Sequence, residues 1–280
     1  MENNLIVTVS GGRSSAMMAR HIQTSEKYAD FEKIYIFCNT GQERPETIDF
    51  LKNIEKYWGI EIVKIEGVFN NTLGEGVSYK IVDNWDDLKM DSSVFSQAIS
   101  HKNKGIFSGV PNIKAPFCSE LMKTLPAKKF ADDVFGKKNY YTTIGFRRED
   151  MPKRISWAEI KEDFKRKYPL ITDFDLPVNV FGVNEFWEKQ PFKLEIHSRL
   201  GNCRYCFKKH EDYIVMGIKV DIEAGNFETI NWYRKEEKKY GKLFFREHKS
   251  IDDLVKLAQS PFTAEIDFDK ADDFKCVCNF

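Results

Sequence analysis

Two groups of residues in this 280-residue chain carry types and spacings suited to chemistry. The first is the turn Ser10-Gly11-Gly12-Arg13-Ser14-Ser15, which follows the apolar run Leu5-Ile6-Val7-Thr8-Val9. Glycines let backbone N–H groups approach a ligand closely, hydroxyls add donors, and a helix beginning near Ser14 adds the partial positive charge of its N-terminus. That combination suits an anion, above all a phosphate. An ordinary strand-to-helix turn also uses glycine, so the turn alone leaves the plainer reading open. It matches neither the GxxxxGK[ST] nor the GxGxxG order.

The second group is sulfur. Cys203 and Cys206 form a CxxC within Gly201-Asn202-Cys203-Arg204-Tyr205-Cys206-Phe207-Lys208-Lys209, beside cations that lower a thiol pKa and balance thiolate charge. Cys276 and Cys278 form a CxC, and Cys118 stands alone. Together these offer five sulfur donors, more than the roughly four a closed site needs. All-sulfur ligation fits an iron–sulfur cluster and zinc alike, and thiols without metal remain a third reading. Cys38, inside an apolar strand, reads as a small buried hydrophobe. His21, His101, His197, His210 and His248 form no paired zinc motif, and His210 reads as a capping or packing residue. No Gly-x-Ser-x-Gly elbow is present, which argues against a serine hydrolase.

These residues need a scaffold, and the composition allows one. Hydrophobic residues make up 42% and aromatics 14%, enough for a sizeable core, in one large domain or a domain with an added lobe. Lys+Arg and Asp+Glu both number 43, so net charge does not call for nucleic acid or a membrane surface. No apolar run approaches the roughly 20 residues of a membrane span, and the N-terminus lacks a signal-peptide pattern. A cytoplasmic protein with reduced thiols is expected.

Residues 5–9, 33–38 and 60–65 read as strands, and 14–23 and 46–57 as helices between them. The β-α-β-α-β order predicts a parallel sheet flanked by helices, an α/β fold. Residues 67–115 show no regular pattern. Residues 119–134 read as a helix and 140–146 as a further strand. The expected division is a nucleotide-binding domain over 1–150 and a smaller cysteine-bearing lobe over 151–280. In that lobe short helices are expected near 184–189 and 208–224. The charged run 235–239 is expected to be a solvated helix face. Trp157, Trp187, Trp232 and Tyr233 suit either core packing or contacts with a partner.

The loop after the second strand sharpens the reading. Asn39-Thr40-Gly41 lies just past the strand end, and in open parallel sheets ligands bind outside the carboxyl ends of strands. Here the sequence resembles the PP-loop ATP pyrophosphatases, the adenine nucleotide α-hydrolase superfamily. Ser10-Gly11-Gly12-Arg13-Ser14-Ser15 is similar to their SGGxxS loop. Asn39-Thr40-Gly41 with Glu46-Thr47 resembles a segment of the phosphoadenylyl sulfate (PAPS) reductase-like branch, and Thr143-Ile144-Gly145-Phe146-Arg147 resembles its GxR segment. The resemblance spans most of residues 5–210 and implies the Rossmann-like fold of that superfamily. Many members carry Lys-Asp inside the loop where this chain has Arg13-Ser14. Arg13 replaces the lysine charge, and the aspartate that would supply a Mg²⁺ ligand has no counterpart there.

The same resemblance tilts the sulfur set toward a 4Fe–4S cluster, with zinc as the alternative. Cluster-containing sulfonucleotide reductases carry a Cys-Cys pair and, much later, a CxxC. Phe117 stands where the first cysteine of the pair would be, before Cys118. Cys118, Cys203 and Cys206 are then ligands, and Cys276 or Cys278 supplies the missing one. Lys123 reads either as a surface lysine or as a cation beside the cluster and the nucleotide phosphates.

The expected activity is adenylation of a substrate by ATP, releasing pyrophosphate, for sulfur transfer. Ser10, Gly11, Gly12, Arg13, Ser14 and Ser15 would hold the pyrophosphate, and Asn39, Thr40 and Gly41 the adenosine side. Arg13, Lys123 and Arg147 are the expected catalytic cations. The cofactor set is ATP or adenylyl sulfate, Mg²⁺ and the cluster. The expected partners are the adenine nucleotide and tRNA or DNA as acceptor, with no membrane and a homodimer as the assembly. A sulfonucleotide reductase and a non-catalytic nucleotide-binding subunit of a nucleic-acid modification system are the alternatives.

Overall fold

The computed structural model describes residues 3–70, 75–104, 107–197 and 200–261. Strands β1 (Asn4–Thr8), β2 (Glu32–Asn39), β3 (Ile62–Phe69), β4 (Val77–Val82), β5 (Tyr141–Thr143) and β6 (Arg166–Lys167) form one sheet in the order β4-β3-β2-β1-β5-β6. All neighbours are parallel except the β3–β4 pair. The chain is an α/β protein with a mixed, mostly parallel sheet flanked by helices.

The apolar runs explain the sheet's place. In β1, Leu5 and Val7 join the core under α1 (Arg13–Thr24), α2 (Pro45–Trp58) and α8 (Val180–Glu188), whereas Ile6 packs on the opposite face with Phe130 and Ala131 of α5 (Leu125–Phe135). Alternate residues thus bury against opposite layers, so the middle of the strand, Leu5 to Val7, is continuously apolar rather than alternating. Helix α2 starts with Pro45 at its first turn and ends at Gly59 in the left-handed region, the usual asymmetry of helix ends.

The unpatterned region 67–115 holds β4, whose antiparallel pairing with β3 covers the sheet edge, and α3 (Ser93–Lys102). A short α4 (Phe117–Ser119) runs through a π turn (Glu120–Thr124) into α5. After β5, α6 (Trp157–Glu162), β6 and α7 (Pro169–Thr172) lead to α8. Because β6 pairs with β5, the sheet continues past residue 150. A second core gathers α3, α4, α9 (Glu211–Glu223), α10 (Glu228–Tyr240) and α11 (Ile251–Gln259).

The run at 235–239 corrects one expectation. Glu236 and Glu237 of α10 are buried. Glu236 accepts from Ser96 Oγ at 2.8 Å, and Glu237 accepts from the Ile251 amide at 3.1 Å. Helical periodicity turns two residues of a charged run inward, where Ser96 of α3 and the first amide of α11 receive them. Among the described residues, no helix is long and apolar enough to cross a membrane.

Candidate functional site

The strand order reverses between β1 and β5, with β2 and β3 on one side and β6 on the other. Thr8 Oγ1 donates to the Thr143 carbonyl at 2.7 Å, holding the two strand ends together. The loops after β1 and β5 therefore meet at the switch point, where parallel sheets present a crevice.

The first loop is built around Gly11 and Gly12. Gly11 has φ +76°, and a Cβ there would stand 2.3 Å from Thr47 Cγ2 of α2. Gly12 is the N-cap of α1; no side chain caps that end and no acid occupies its first turn. Ser15 Oγ donates to the Gly12 carbonyl at 2.9 Å and accepts from the Ser10 amide at 3.1 Å. Its single proton being used, Ser15 receives the hydroxyl hydrogen of Ser10 across 3.0 Å. Both hydroxyls brace the loop, leaving the helix-start backbone N–H groups as its main donor set for an anion. Trp187 Nε1 of α8 donates to the Arg13 carbonyl at 3.1 Å and anchors that first turn.

Across the switch point, Gly145 lies against Ser15 and Ser14 of α1. Arg147 follows in the same loop. Its amide donates to Asp150 Oδ2 at 2.8 Å, and its Nε stands 3.9 Å from Glu149 Oε2.

Asn39, Thr40 and Gly41 are buried and bonded internally. Asn39 Nδ2 donates to Glu66 Oε1 at 2.7 Å, and Asn39 Oδ1 accepts from the Gly41 amide at 3.0 Å. Thr40 Oγ1 donates to Glu43 Oε1 at 2.8 Å, while the Thr40 and Gln42 amides donate to Glu43 Oε2 at 3.1 and 3.2 Å. Just beyond, Gln42 Oε1, Arg44 Nε, Glu46 Oε2 and Thr47 Oγ1 are buried polar atoms without a hydrogen-bond partner. Such orphans are uncommon, and these side chains face different neighbours: Gln42 meets Ser92, Arg44 meets Asp221, and Thr47 meets Gly11.

Cys118 belongs to the second core, and Cys203 packs against that core. Cys118 and Lys123 both act electrostatically on Cys203, and Cys118, Cys203 and Cys206 all act on the buried Tyr233 hydroxyl. Cys118 and Lys123 are five residues apart, a spacing that an α-helix at about 100° per residue turns to different faces. The π turn between them, with its i→i+5 bonding, turns the two positions nearer to one face. Lys123 is half-buried in that turn, and its carbonyl accepts from Cys38 Sγ at 3.8 Å. Lys208 and Lys209 are buried. Lys209 Nζ donates to the Leu200 and Arg204 carbonyls at 3.3 and 3.0 Å, and Lys208 Nζ reaches Ser119 Oγ at 3.4 Å.

Burial pushes the Cys203 thiol far up, reinforced by Glu43 and Cys118 and opposed by Lys123 and Lys209. Burial also pushes Cys38 up to about 12, consistent with an inert strand residue. His210 is the N-cap of α9, its Nδ1 accepting from the Asp212 amide at 3.4 Å. Trp187, Trp232 and Tyr233 are buried, and Trp157 is half exposed.

The thiol turn adjoins the glycine turn. A Cβ on Gly12 would lie 3.7 Å from Asn202 Oδ1, and the Arg204 amide donates to the Gln42 carbonyl at 2.9 Å. Among the described residues, no three His, Cys, Asp or Glu side chains are close enough to hold a metal ion. Cys118 and Cys206 are buried and Cys203 half-buried, and among the described residues they form no closed ligand shell. Cys276 and Cys278 lie outside the described residues. Magnesium does not find a carboxylate in the loop, and Glu43 is engaged by Thr40 and Gln42. A cavity of about 220 Å³ beside the start of α9 is lined by Phe207, Lys209, Phe245 and Arg246, and none of the expected site residues lines it.

Sequence reasoning missed Glu43, Arg44, Asn202, Tyr205 and Asp221. One signal was available: Asp221 interrupts an otherwise apolar helix face that includes Ile214, Val215 and Ile218.

No protein-family model matches the chain. It is 31% identical over 216 residues to the uncharacterized nin region protein ORF290 of Escherichia phage lambda, an alignment covering 76% of this chain and 69% of that protein.

Proposed function

The chain belongs to the family of the phage lambda nin region protein ORF290, and we propose that it is a PAPS reductase-like enzyme of the adenine nucleotide α-hydrolase fold. It binds ATP at the loops after β1, β2 and β5 and adenylates a substrate for sulfur transfer. The observation that carries this reading is the meeting of the glycine turn with Gly145 and with Asn202 of the thiol turn. A phosphate-type site and a sulfur site then share one crevice.

In this reading a substrate oxygen attacks the α-phosphorus, the α–β anhydride bond breaks, and pyrophosphate leaves with the electron pair. The first-turn amides of α1 stabilise the pyrophosphate, and the Gly11 conformation aims them. Arg13 and Arg147, one on each side of the switch point, supply positive charge; Lys123 supplies it from the thiol side. A sulfide-level sulfur nucleophile then attacks the carbon that bears this oxygen; the C–S bond forms, the C–O bond breaks, and AMP leaves with the oxygen and the electron pair. Cys118, Cys203 and Cys206 would contribute to an iron–sulfur cluster, with Cys276 or Cys278 as the further donor; the three do not by themselves form a site for a single ion such as zinc. When bound, such a cluster supplies a site for sulfide. No step runs through magnesium.

The test is incubation of the purified protein with labelled ATP and, separately, labelled adenylyl sulfate, with and without tRNA or DNA. Pyrophosphate and AMP from ATP support the proposal. Sulfite from adenylyl sulfate replaces it with a sulfonucleotide reductase. ATP binding without turnover under every condition replaces it with a nucleotide-binding subunit of a nucleic-acid modification system.

A further inference from the structure

The CxxC turn is held by a buried charge network that the chemistry above does not use. Arg44, the residue before α2, reaches α9 and pairs in bidentate fashion with Asp221. Nη1 donates to Oδ1 at 2.6 Å and Nη2 to Oδ2 at 3.0 Å. Both side chains are 4% exposed. Nη2 also donates to the Gly217 carbonyl at 3.1 Å, and a Cβ on Gly217 would stand 3.4 Å from that nitrogen. Glycine leaves the guanidinium room against the helix backbone.

The same carboxylate holds the two residues between the cysteines. Tyr205 donates its hydroxyl to Asp221 Oδ2, and Arg204 Nη1 stands 3.6 Å from that oxygen. The Tyr205 carbonyl accepts from Tyr233 OH at 3.2 Å. The Arg204 amide is bonded to the Gln42 carbonyl, two residues before Arg44. The turn is therefore tied at the side chain and backbone of both central residues. A buried ion pair contributes little net stability, because desolvation offsets attraction, but a bidentate pair fixes geometry closely.

We propose that Arg44, Asp221 and Tyr205 are positioning residues that lock the Cys203–Cys206 turn onto the loop after β2. They set how its thiols face the crevice. The proposal rests on reading that turn as the sulfur site, and it requires no nucleotide.

The experiment follows alkylation of individual cysteines by iodoacetamide in the full chain, without nucleotide, by peptide mass spectrometry. The variants are Tyr205→Phe and Asp221→Asn. Tyr205→Phe keeps the ring packed on Tyr233 and removes only the hydroxyl. In Asp221→Asn, Cys203 and Cys206 react at least about tenfold faster, the factor for losing a hydrogen bond to a charged group. In Tyr205→Phe the acceleration is about threefold or more. Cys38, buried in β2, keeps its wild-type rate in both. Unchanged rates at Cys203 and Cys206 in folded Tyr205→Phe overturn the proposal. So does equal acceleration of Cys38, which marks general loosening. If Asp221→Asn does not fold, Tyr205→Phe decides alone. Failure of ATP turnover removes the adenylation reading and leaves this comparison intact.

Discussion

Gly145 lies so close to Ser15 that a β-carbon on it would stand 3.2 Å from Ser15 Cα and 3.4 Å from its nitrogen. The loop after β5 thus touches the start of α1 backbone to backbone, across the point where the strand order reverses. Gly145→Ala pushes the two loops apart by tenths of an ångström. Nucleotide affinity is expected to fall about tenfold, as for one misplaced donor. Isothermal titration with ATP measures this.

Gly11 and Gly12 separate folding from binding. Gly11→Ala meets both a left-handed backbone and the Thr47 methyl, so stability should drop by about 2–3 kcal/mol in urea unfolding. Gly12 has no positive φ, and its nearest neighbour across space is Asn202 Oδ1 at 3.7 Å. Gly12→Ala should unfold within about 1 kcal/mol of wild type yet lose ATP binding, because the new methyl group occupies ligand space. Equal binding in Gly12→Ala would remove this turn from the site.

Asp173 ties α1 to α7. Burial opposes its charge, but hydrogen bonds from His21, Lys27, Tyr28 and Thr172 outweigh burial and hold its carboxyl well below the usual range. The folded state thus favours the charged form. This contribution is present above the ordinary aspartate pKa of about 4 and fades as pH falls through the lowered value. Asp173→Ala should lose about 3 kcal/mol near neutral pH, with a flatter stability profile below about pH 4. Urea midpoints across that range decide.

Glu237 behaves oppositely. Burial raises its pKa to about 7, while backbone N–H groups of Ile251 and Phe244 pull it down only in part. The folded state binds the proton more tightly, so this contribution is complete below about pH 4.5 and is lost as pH rises through about 7. Glu237→Gln should remove that decline while keeping an acceptor for the Ile251 amide. Melting temperatures from pH 5 to about 8, compared with wild type, report it.

Anaerobic purification with iron, sulfide and zinc analysis tests the sulfur site. Cys118→Ser, Cys203→Ser and Cys206→Ser should each lose most bound metal, and Cys38→Ser should retain it. A colourless protein with stoichiometric zinc would exchange the cluster for a zinc centre.

Much of the sheet was legible because its signals are local. The continuous apolar runs of β1 and β2 and the Ser-Gly-Gly turn place those elements to within a few residues. The region 67–115 was not legible, because β4 alternates weakly and owes its place to pairing with β3. The run at 235–239 misled because charge alone does not show which residues of a turn face inward.

By itself, the sequence determined an α/β chain with a glycine turn after its first strand and thiols far along the chain. Only the tertiary structure decided that Asn202 neighbours Gly12, that a π turn lies between Cys118 and α5, and that Arg44 pairs with Asp221 across 177 residues. The reason is physical. Periodicity and turn chemistry act over one element, whereas partners for buried charges are chosen by packing among distant segments, once water has been excluded.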